Sequence, residues 1–282
     1  MTTTTTAAAR PDHHSAPSRQ EAVVGPARPE AVVVGPDAPG SPLPGERHRG
    51  GLAPAAAGPR DLPASSDALA IAGLVPMSSC DWPGKLVATV FAQGCPWNCT
   101  YCHNPDLIPT RVEGTVPFQR VRDLLAKRAG LLDGVVFSGG EPTRQRALGA
   151  AMREVRDAGF GVGLHTGGAY PARLREIIGL VDWVGLDIKA PRGDYARITR
   201  VASSGAKAFE SLDIVLAAGV DVQVRTTVDP TVLSDDDVAR IRAELAERGV
   251  HDLVLQTARP DGTRPEYAEA LAAARRAASQ PT

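Results

Sequence analysis

Short β-type runs alternate with amphipathic helical patterns between residues 69 and 256, and this alternation constrains the fold more than any other feature of the chain. Strand–helix alternation predicts βαβ units and a parallel sheet. A closed eight-unit barrel usually takes roughly 250 residues, and this core holds only about six units, so we predict an α/β fold built as a partial, open (βα)6 barrel. The predicted strands are Leu69–Val75, Leu86–Phe91, Gly134–Ser138, Gly161–His165, Trp183–Lys189, Val220–Val228 and Asp252–Gln256.

Three stretches between these strands have helical character. Apolar residues recur at helical spacing in 117–129 and in 143–158. The stretch 234–247 begins with Ser234 as N-cap and Asp237 as its capping-box partner. The apolar positions that share a face in the first two stretches are Val121, Leu124, Leu125, Leu148, Met152 and Val155.

The amino-terminal part of the chain has a different composition. Residues 1–65 hold 11 of the 24 prolines, and no Phe, Trp, Tyr or Lys occurs before Trp82. Such a segment cannot bury enough apolar surface to offset its ordering entropy. We therefore expect a disordered tail over 1–65 and one domain over 66–282.

Charge and hydropathy exclude several classes of partner. Lys and Arg number 31 against 32 Asp and Glu, giving a net charge of −1, and no basic stripe typical of nucleic-acid binding is present. The sequence contains no run of about 18 apolar residues that would predict a membrane span. The amino terminus also lacks the apolar region of a secretory signal. We expect a cytoplasmic protein with neither nucleic acid nor membrane as partner.

Three of the four cysteines form a C-x3-C-x2-C motif directly after the strand predicted to end at Phe91. These are Cys95, Cys99 and Cys102, and they fall where parallel βα sheets carry their chemistry. A structural zinc site normally has two separated ligand pairs and would here have to recruit Cys80 or another residue. Three thiolates also suit an iron–sulfur cluster with one iron left open. The cysteines alone favour the cluster and leave zinc as the alternative.

Further motifs extend this pattern. Ser138-Gly139-Gly140-Glu141-Pro142 follows the second core strand, and Val184-Gly-Leu-Asp-Ile-Lys-Ala-Pro191 spans the end of the fourth. With the cysteine motif, the first of these segments resembles the radical S-adenosylmethionine (SAM) enzymes. The second segment resembles the glycyl-radical-enzyme activases, most of all the anaerobic ribonucleoside-triphosphate reductase activating proteins. The same resemblance is carried by Val75-Pro-Met-Ser-Ser-Cys-Asp-Trp-Pro-Gly-Lys85, Tyr101-Cys-His-Asn-Pro-Asp106 and Leu164-His-Thr-Gly-Gly168. The resemblance covers about 70–260.

The resemblance implies two cofactors, a [4Fe–4S] cluster and SAM. Cys95, Cys99 and Cys102 would hold three irons, and the amino and carboxylate groups of SAM would chelate the fourth. Electron transfer into the sulfonium would then give methionine and a 5′-deoxyadenosyl radical, which takes hydrogen from a glycine Cα of a partner. Cys80 is expected to be an ordinary thiol, with Asp81-Trp82-Pro83 near the barrel mouth.

The resemblance also implies roles for other side chains. Glu141 would accept from the ammonium of SAM, with Gly139 and Gly140 allowing close backbone approach. Strand alternation puts Asp187 and Lys189 on one face, and the family uses such a pair in catalysis and cofactor binding. The remaining cofactor-binding candidates are Tyr101 on the adenine, His165 at a place where some activases have Asp, and Arg225 toward a carboxylate or ribose.

The implied partners are a glycyl radical enzyme, closest to anaerobic ribonucleoside-triphosphate reductase, and a small reductant protein such as flavodoxin or ferredoxin. Two alternatives stay open: a radical SAM enzyme with a small-molecule substrate, like the deazapurine-forming synthases, and a non-catalytic metal-binding module. The module leaves Glu141 and the Asp187–Lys189 pair unexplained. The short core favours an activase, because a trimmed barrel leaves its side open for a large protein loop.

Overall fold

The computed structural model describes residues 31–32 and 65–279. The predicted tail therefore lies outside the described residues, apart from Ala31, Val32 and Ser65. The strands are β1 Ala31–Val32, β2 Ile71–Ser78, β3 Val87–Ala92, β4 Gly134–Gly139, β5 Gly161–Thr166, β6 Trp183–Asp187, β7 Asp221–Val228 and β8 Leu253–Thr257. The α-helices are α1 Gln119–Lys127, α2 Leu148–Asp157, α3 Pro171–Ile177, α4 Ala196–Thr199, α5 Ser204–Ala218, α6 Asp235–Ala246 and α7 Pro265–Ala278.

One sheet runs in the order β1-β8-β7-β6-β5-β4-β3-β2. Strands β3 to β8 run parallel to one another, and each is followed by a helix. The two ends of this sheet, β1 and β2, do not pair within the described residues. The predicted partial (βα)6 barrel is confirmed, and it is open.

The first predicted strand departs from the expected parallel arrangement. β2 pairs antiparallel with β3, with Ile71 opposite Ala92 and Ser78 opposite Val87. A parallel connection needs a crossover of a dozen or more residues, whereas only the loop 79–86 joins these two strands. The short loop therefore dictates the reversed direction.

The predicted helices form where the periodicity placed them. Within α2, Leu148, Met152 and Val155 are buried, as the spacing predicts for one face turned to the sheet. α6 begins with the predicted capping box: the Ser234 side chain accepts from the backbone of Asp237, and the Asp237 carboxylate accepts from the backbone of Ser234. Both amino-terminal donors are thereby satisfied, which fixes the start of this helix.

The loop 79–86 covers the amino ends of the central strands. A Cβ on Gly161 would lie 3.3 Å from the Trp82 ring, and a Cβ on Gly163 would lie 3.0 Å from it. The Trp82 ring also stacks on the Trp183 ring, with centroids 5.7 Å apart. Gly161 and Gly163 are the first and third residues of β5, and Trp183 is the first residue of β6. Within the segment Asp81-Trp82-Pro83, expected near the barrel mouth, the Trp82 ring therefore lies toward the opposite end, where small glycines on β5 leave room for it, whereas Asp81 O reaches His165 at 2.7 Å.

Within the described ranges, none of the helices combines the length and the apolar character needed to cross a bilayer.

Candidate active site

The three motif cysteines lie on the cysteine loop, residues 93–108, which leaves the carboxyl end of β3. The loop closes on itself where the Gly94 amide donates to Leu107 O at 2.8 Å. It is also held from outside, because the amides of Asn98 and Thr100 donate to Thr199 O at 3.1 Å and Ile198 O at 3.0 Å. These carbonyls belong to α4, so the segment after β6 fixes the part of the loop between the cysteines.

The thiols of Cys95, Cys99 and Cys102 are free, with Cys99 buried and the other two half-buried. Burial raises the pKa of Cys95 to about 12 and that of Cys99 to about 11, while the charge of Lys189 acts in the opposite direction. Among the residues that the structure describes, no three Cys, His, Asp or Glu side chains converge closely enough to enclose a single metal ion. A soft, three-thiol donor set spread over one loop fits a multi-iron cluster better than a mononuclear zinc site.

Cys80 is distant from this loop along the sheet. It is exposed, lies on the loop 79–86 at the amino end of β3, and contacts Ser78 Oγ at 3.5 Å. The six residues of β3 separate it from the carboxyl end, a span of roughly 17 Å at the usual rise per residue. The geometry therefore argues against Cys80 as a fourth ligand.

Gly139 and Gly140 let the end of β4 pack directly on the cysteine loop. Gly139 has φ +109°, and a Cβ there would lie 2.5 Å from Ala92 N. A Cβ on Gly140 would lie 2.5 Å from Gly94 O and 2.8 Å from Leu107 O. Both glycines thus permit a close backbone approach, and in this structure the approaching chain is the cysteine loop itself.

Glu141 follows these glycines and is buried. Its Oε1 accepts from Thr143 Oγ1 at 2.6 Å, Thr143 N at 3.2 Å and Thr166 Oγ1 at 2.7 Å. Its Oε2 accepts from Gly167 N at 3.0 Å. Burial raises the pKa of the carboxyl, and these donors lower it. The carboxylate therefore ties the ends of β4 and β5 together, with acceptor capacity left on Oε2.

Asp187, Lys189 and Arg225 form a charged trio at the ends of β6 and β7. Asp187 Oδ1 accepts from Arg225 Nη2 at 2.8 Å and Nε at 3.0 Å, and Lys189 Nζ lies 3.4 Å from Oδ2. Burial by itself raises the pKa of Asp187, but the two cations lower it to about 2. Burial also opposes charge on Lys189, yet Asp187 helps to hold its pKa above the ordinary value. At neutral pH the trio carries a net charge of +1.

His165 on β5 lies beside the trio with both ring nitrogens against protein groups. Nε2 lies 2.7 Å from Asp81 O and must donate to it, because a carbonyl only accepts, while Nδ1 lies 3.4 Å from Ser138 Oγ. Burial, together with the charge of Arg225, lowers the pKa of His165 to about 4, so the ring is neutral at pH 7. Gly185 makes room for it: a Cβ there would lie 2.8 Å from the His165 ring and 2.9 Å from Arg225 Nη1.

One aromatic residue of the cysteine loop, Tyr101, reaches the trio, and a second, Trp97, packs on Tyr195. Lys189 Nζ lies 5.6 Å from the centroid of the buried Tyr101 ring, and the Tyr101 hydroxyl has no hydrogen-bond partner among the described residues. Trp97 packs edge-on against Tyr195 at 6.1 Å, and a Cβ on Gly167 would lie 2.6 Å from the Trp97 ring. The unpartnered hydroxyl of Tyr101 is the kind of buried polar atom that a bound cofactor satisfies.

Asp229 was missed by sequence reasoning. Fully buried at the end of β7, it accepts from Thr100 Oγ1 at 3.1 Å and from Thr231 Oγ1 and N at 2.7 Å and 3.0 Å. Thr100 stands between Cys99 and Cys102, so this carboxylate anchors the motif. Its place directly after a strand, in Val228-Asp229-Pro230, is the signal that could have found it.

A second missed contact joins the cysteine loop to the last helix. Arg264, the N-cap residue of α7, donates through Nη2 to Asn98 Oδ1 and through Nη1 to Cys99 O at 3.3 Å. The loop 258–264 after β8 therefore lies against the cysteine loop. No motif in the sequence signals this contact, because it depends on where β8 ends in the folded sheet.

Comparisons with known proteins identify a family and several relatives. The family model of the Radical SAM superfamily matches residues 89–241, a little more than half of the 282 residues. A protein of Methanocaldococcus jannaschii, assigned by its name to the glycyl-radical enzyme activating enzymes, is 31% identical over 178 residues, covering 61% of this chain and 73% of that protein. The pyruvate formate-lyase-activating enzyme of Clostridium pasteurianum is 31% identical over 175 residues, covering 60% of this chain and 72% of that enzyme.

Among solved structures, anSMEcpe with bound AdoMet superposes with a TM-score of 0.46 at 17% sequence identity. The superposition covers 59% of this chain and 49% of that chain. The chain thus spans about half the length of that solved structure.

Proposed function

The chain belongs to the radical SAM superfamily, and from this membership we propose that it is the activating enzyme of a glycyl radical enzyme. Its cofactors are a [4Fe–4S] cluster and SAM. When bound, they supply a 5′-deoxyadenosyl radical through one-electron cleavage of the sulfur–C5′ bond of SAM, and this radical removes a hydrogen atom from a glycine Cα of the partner. The protein positions these groups and excludes water.

Cys95, Cys99 and Cys102 are the proposed cluster ligands. Their thiols must lose protons on ligation, which burial opposes, as the pKa values of about 12 for Cys95 and about 11 for Cys99 indicate. The positive charge of Lys189 favours the thiolate form of both. The backbone contacts of Asn98 and Thr100 with α4 hold the loop in place for this ligation.

The charged trio and Glu141 are the proposed SAM-binding groups. The net charge of +1 on Asp187, Lys189 and Arg225 suits the methionine carboxylate, and Asp187 keeps both cations in place. Glu141 Oε2 has capacity for the SAM ammonium, and Tyr101 offers an aromatic face and a free hydroxyl. We assign His165 to holding the loop 79–86 against β4 and β5, because its two nitrogens already face Asp81 O and Ser138 Oγ.

The partner and the electron donor follow from the same proposal. The open sheet leaves a side accessible to a large protein loop, which supports a macromolecular substrate. The motif similarity to the anaerobic ribonucleoside-triphosphate reductase activating proteins supports that reductase as the partner, with flavodoxin or ferredoxin as reductant. An oxygen-sensitive cluster needs a reducing compartment, so we place the reaction in the cytoplasm.

The observation that carries the proposal is that the loop with three free thiols, a buried glutamate and the charged trio all lie toward the carboxyl ends of neighbouring parallel strands. Its test is anaerobic incubation of the reconstituted protein with SAM, reduced flavodoxin and a candidate anaerobic ribonucleotide reductase. We expect the doublet of a glycyl radical in the paramagnetic resonance spectrum of the reductase. SAM cleavage without a radical on any glycyl radical enzyme offered would refute the activase assignment and favour a small-molecule substrate.

A further inference from the structure

The guanidinium of Arg259 presents one unpartnered edge inside the protein. Its Nε and Nη2 atoms are buried and have no hydrogen-bond partner among the described residues. These two nitrogens lie on the same edge of the guanidinium, and their parallel N–H groups form the fork that binds a carboxylate through two hydrogen bonds. Buried polar groups are nearly always satisfied, so an unpaired fork of this kind indicates a ligand.

Contacts of the neighbouring residues hold the loop that carries Arg259 in place. Arg259 lies two residues after β8, on the loop that Arg264 joins to the cysteine loop. Arg275 fixes the start of this loop by donating to Ala258 O at 2.6 Å. His103, on the cysteine loop, likewise has a buried Nε2 with no partner in the described part of the chain.

The charges nearby do not neutralise Arg259. The carboxylate of Asp261, two residues after Arg259, is exposed, and no ion pair joins it to Arg259 within the described ranges. The acidic residue of the charged trio, Asp187, is already shared between Lys189 and Arg225. The unpaired edge therefore adds a positive charge that the proposed cofactor site does not use.

We propose that Arg259 binds a carboxylate of the polypeptide substrate, beside the cysteine loop at the open side of the sheet. β8 is the last parallel strand, and among the described residues only the two-residue β1 lies beyond it. A polypeptide that enters from this side meets Arg259 before it reaches the trio. This inference rests on the proposed function, because it names a recognition element of the same site.

The test uses the full-length, cluster-loaded protein and acetylated, amidated nonapeptides with a central glycine. One aspartate is moved from position to position in an otherwise neutral peptide, and each peptide has an asparagine twin. Binding to the SAM-loaded protein is measured by fluorescence anisotropy. We expect at least a fivefold preference for aspartate at one or two positions. Arg259→Gln should abolish this preference, and Arg259→Lys, which keeps the charge but loses the fork, should restore only part of it.

The controls separate this inference from its premise. Arg276→Gln on the exposed face of α7 should leave the preference intact. SAM affinity and the slow formation of 5′-deoxyadenosine without peptide should be unchanged in Arg259→Gln. A lack of preference at every position, or its survival in Arg259→Gln, would overturn the inference. Weaker SAM binding in Arg259→Gln would also overturn the inference, because it would assign the fork to the cofactor. Absence of SAM cleavage in the wild type would instead refute the proposed function.

Discussion

The carboxylate of Asp187 meets two cations, and only one of these contacts was predictable. Alternation along the predicted strand Trp183–Lys189 places Asp187 and Lys189 on one face; in the structure β6 ends at Asp187, and Lys189 Nζ lies 3.4 Å from Asp187 Oδ2. The partner on β7, Arg225, depends on the register Asp187↔Arg225 between strands joined by the long connection 188–220. Tertiary packing sets such a register, so residue patterns could name Arg225 as a candidate but could not give its partner.

Replacing Asp187 by Asn leaves Lys189 and Arg225 without their counter-charge, and we expect a loss of about 1–3 kcal/mol at pH 7. Because the folded-state pKa of about 2 lies below the ordinary value of 3.8, the carboxylate stabilises the protein above about pH 4. This stabilisation is lost as pH falls through 2.

Urea unfolding of the metal-free protein between pH 7 and pH 2.5 checks this expectation. The stability difference between wild type and Asp187→Asn should narrow below pH 4. The exposed Asp252→Asn variant serves as control and should follow the wild type at every pH. A difference that stays constant down to pH 2.5 would contradict the ionic role of Asp187.

Replacing Cys99 by Ala removes the most buried of the three thiols, and we expect the cluster to be lost while the barrel stays folded. Iron and sulfide content after anaerobic reconstitution, with circular dichroism for the fold, measures this. Cys80→Ala is the matched control, since Cys80 lies at the other end of β3, and it should reconstitute like the wild type. Full iron content in Cys99→Ala, or iron loss in Cys80→Ala, would refute the ligand assignment.

At the scale of elements, the predicted helices and the parallel strands follow from periodicity and capping, while the direction of β2 and the position of Trp82 do not. Apolar spacing reports only that a segment faces a core, and it contains no information on which end of the sheet a loop covers. The contacts that hold the cysteine loop are likewise long-range: Thr100 meets Asp229, and Asn98 meets Arg264.

Gly140→Ala tests the packing of β4 on the cysteine loop. The added Cβ would lie 2.5 Å from Gly94 O and 2.8 Å from Leu107 O, and backbone atoms cannot move aside cheaply. We expect a loss of about 1–3 kcal/mol in unfolding free energy and faster amide hydrogen exchange over residues 93–108.

Gly193→Ala is the control for this substitution, because no atom lies within 4 Å of a Cβ at Gly193. Its stability should stay within about 0.5 kcal/mol of the wild type. Unchanged exchange of the cysteine loop in Gly140→Ala would show that the close contact between β4 and the loop does not hold the loop in place.

At the scale of the whole molecule, composition and the number of βα units were enough to predict an open barrel beside a compositionally distinct tail. The residues proposed to bind the cluster and SAM all lie between residues 95 and 225, in the part of the chain that runs from the end of β3 to β7. Residues 65–279 hold β2 to β8 and the helices between and after them, and β1 contributes only the pairs Ala31–Gln256 and Val32–Leu255.

Deleting residues 1–64 keeps Ser65, whose side chain caps the short helix Ser66–Ala68, and of the described part of the sheet it removes the two-residue β1. We expect the rate of 5′-deoxyadenosine formation to stay within about twofold of the full-length protein, because no proposed ligand is lost. Chromatographic quantification of this product in both proteins, reconstituted side by side, measures it. A tenfold loss would show that the amino-terminal segment takes part in the reaction.

The most direct test of the central claim is to reconstitute the full-length protein anaerobically and record its reduced paramagnetic resonance spectrum with and without SAM, followed by product analysis. The account predicts a [4Fe–4S] signal that changes on addition of SAM, together with methionine and 5′-deoxyadenosine in equal amounts. A colourless protein that holds one tetrahedral metal ion through four side chains and leaves SAM intact would contradict it.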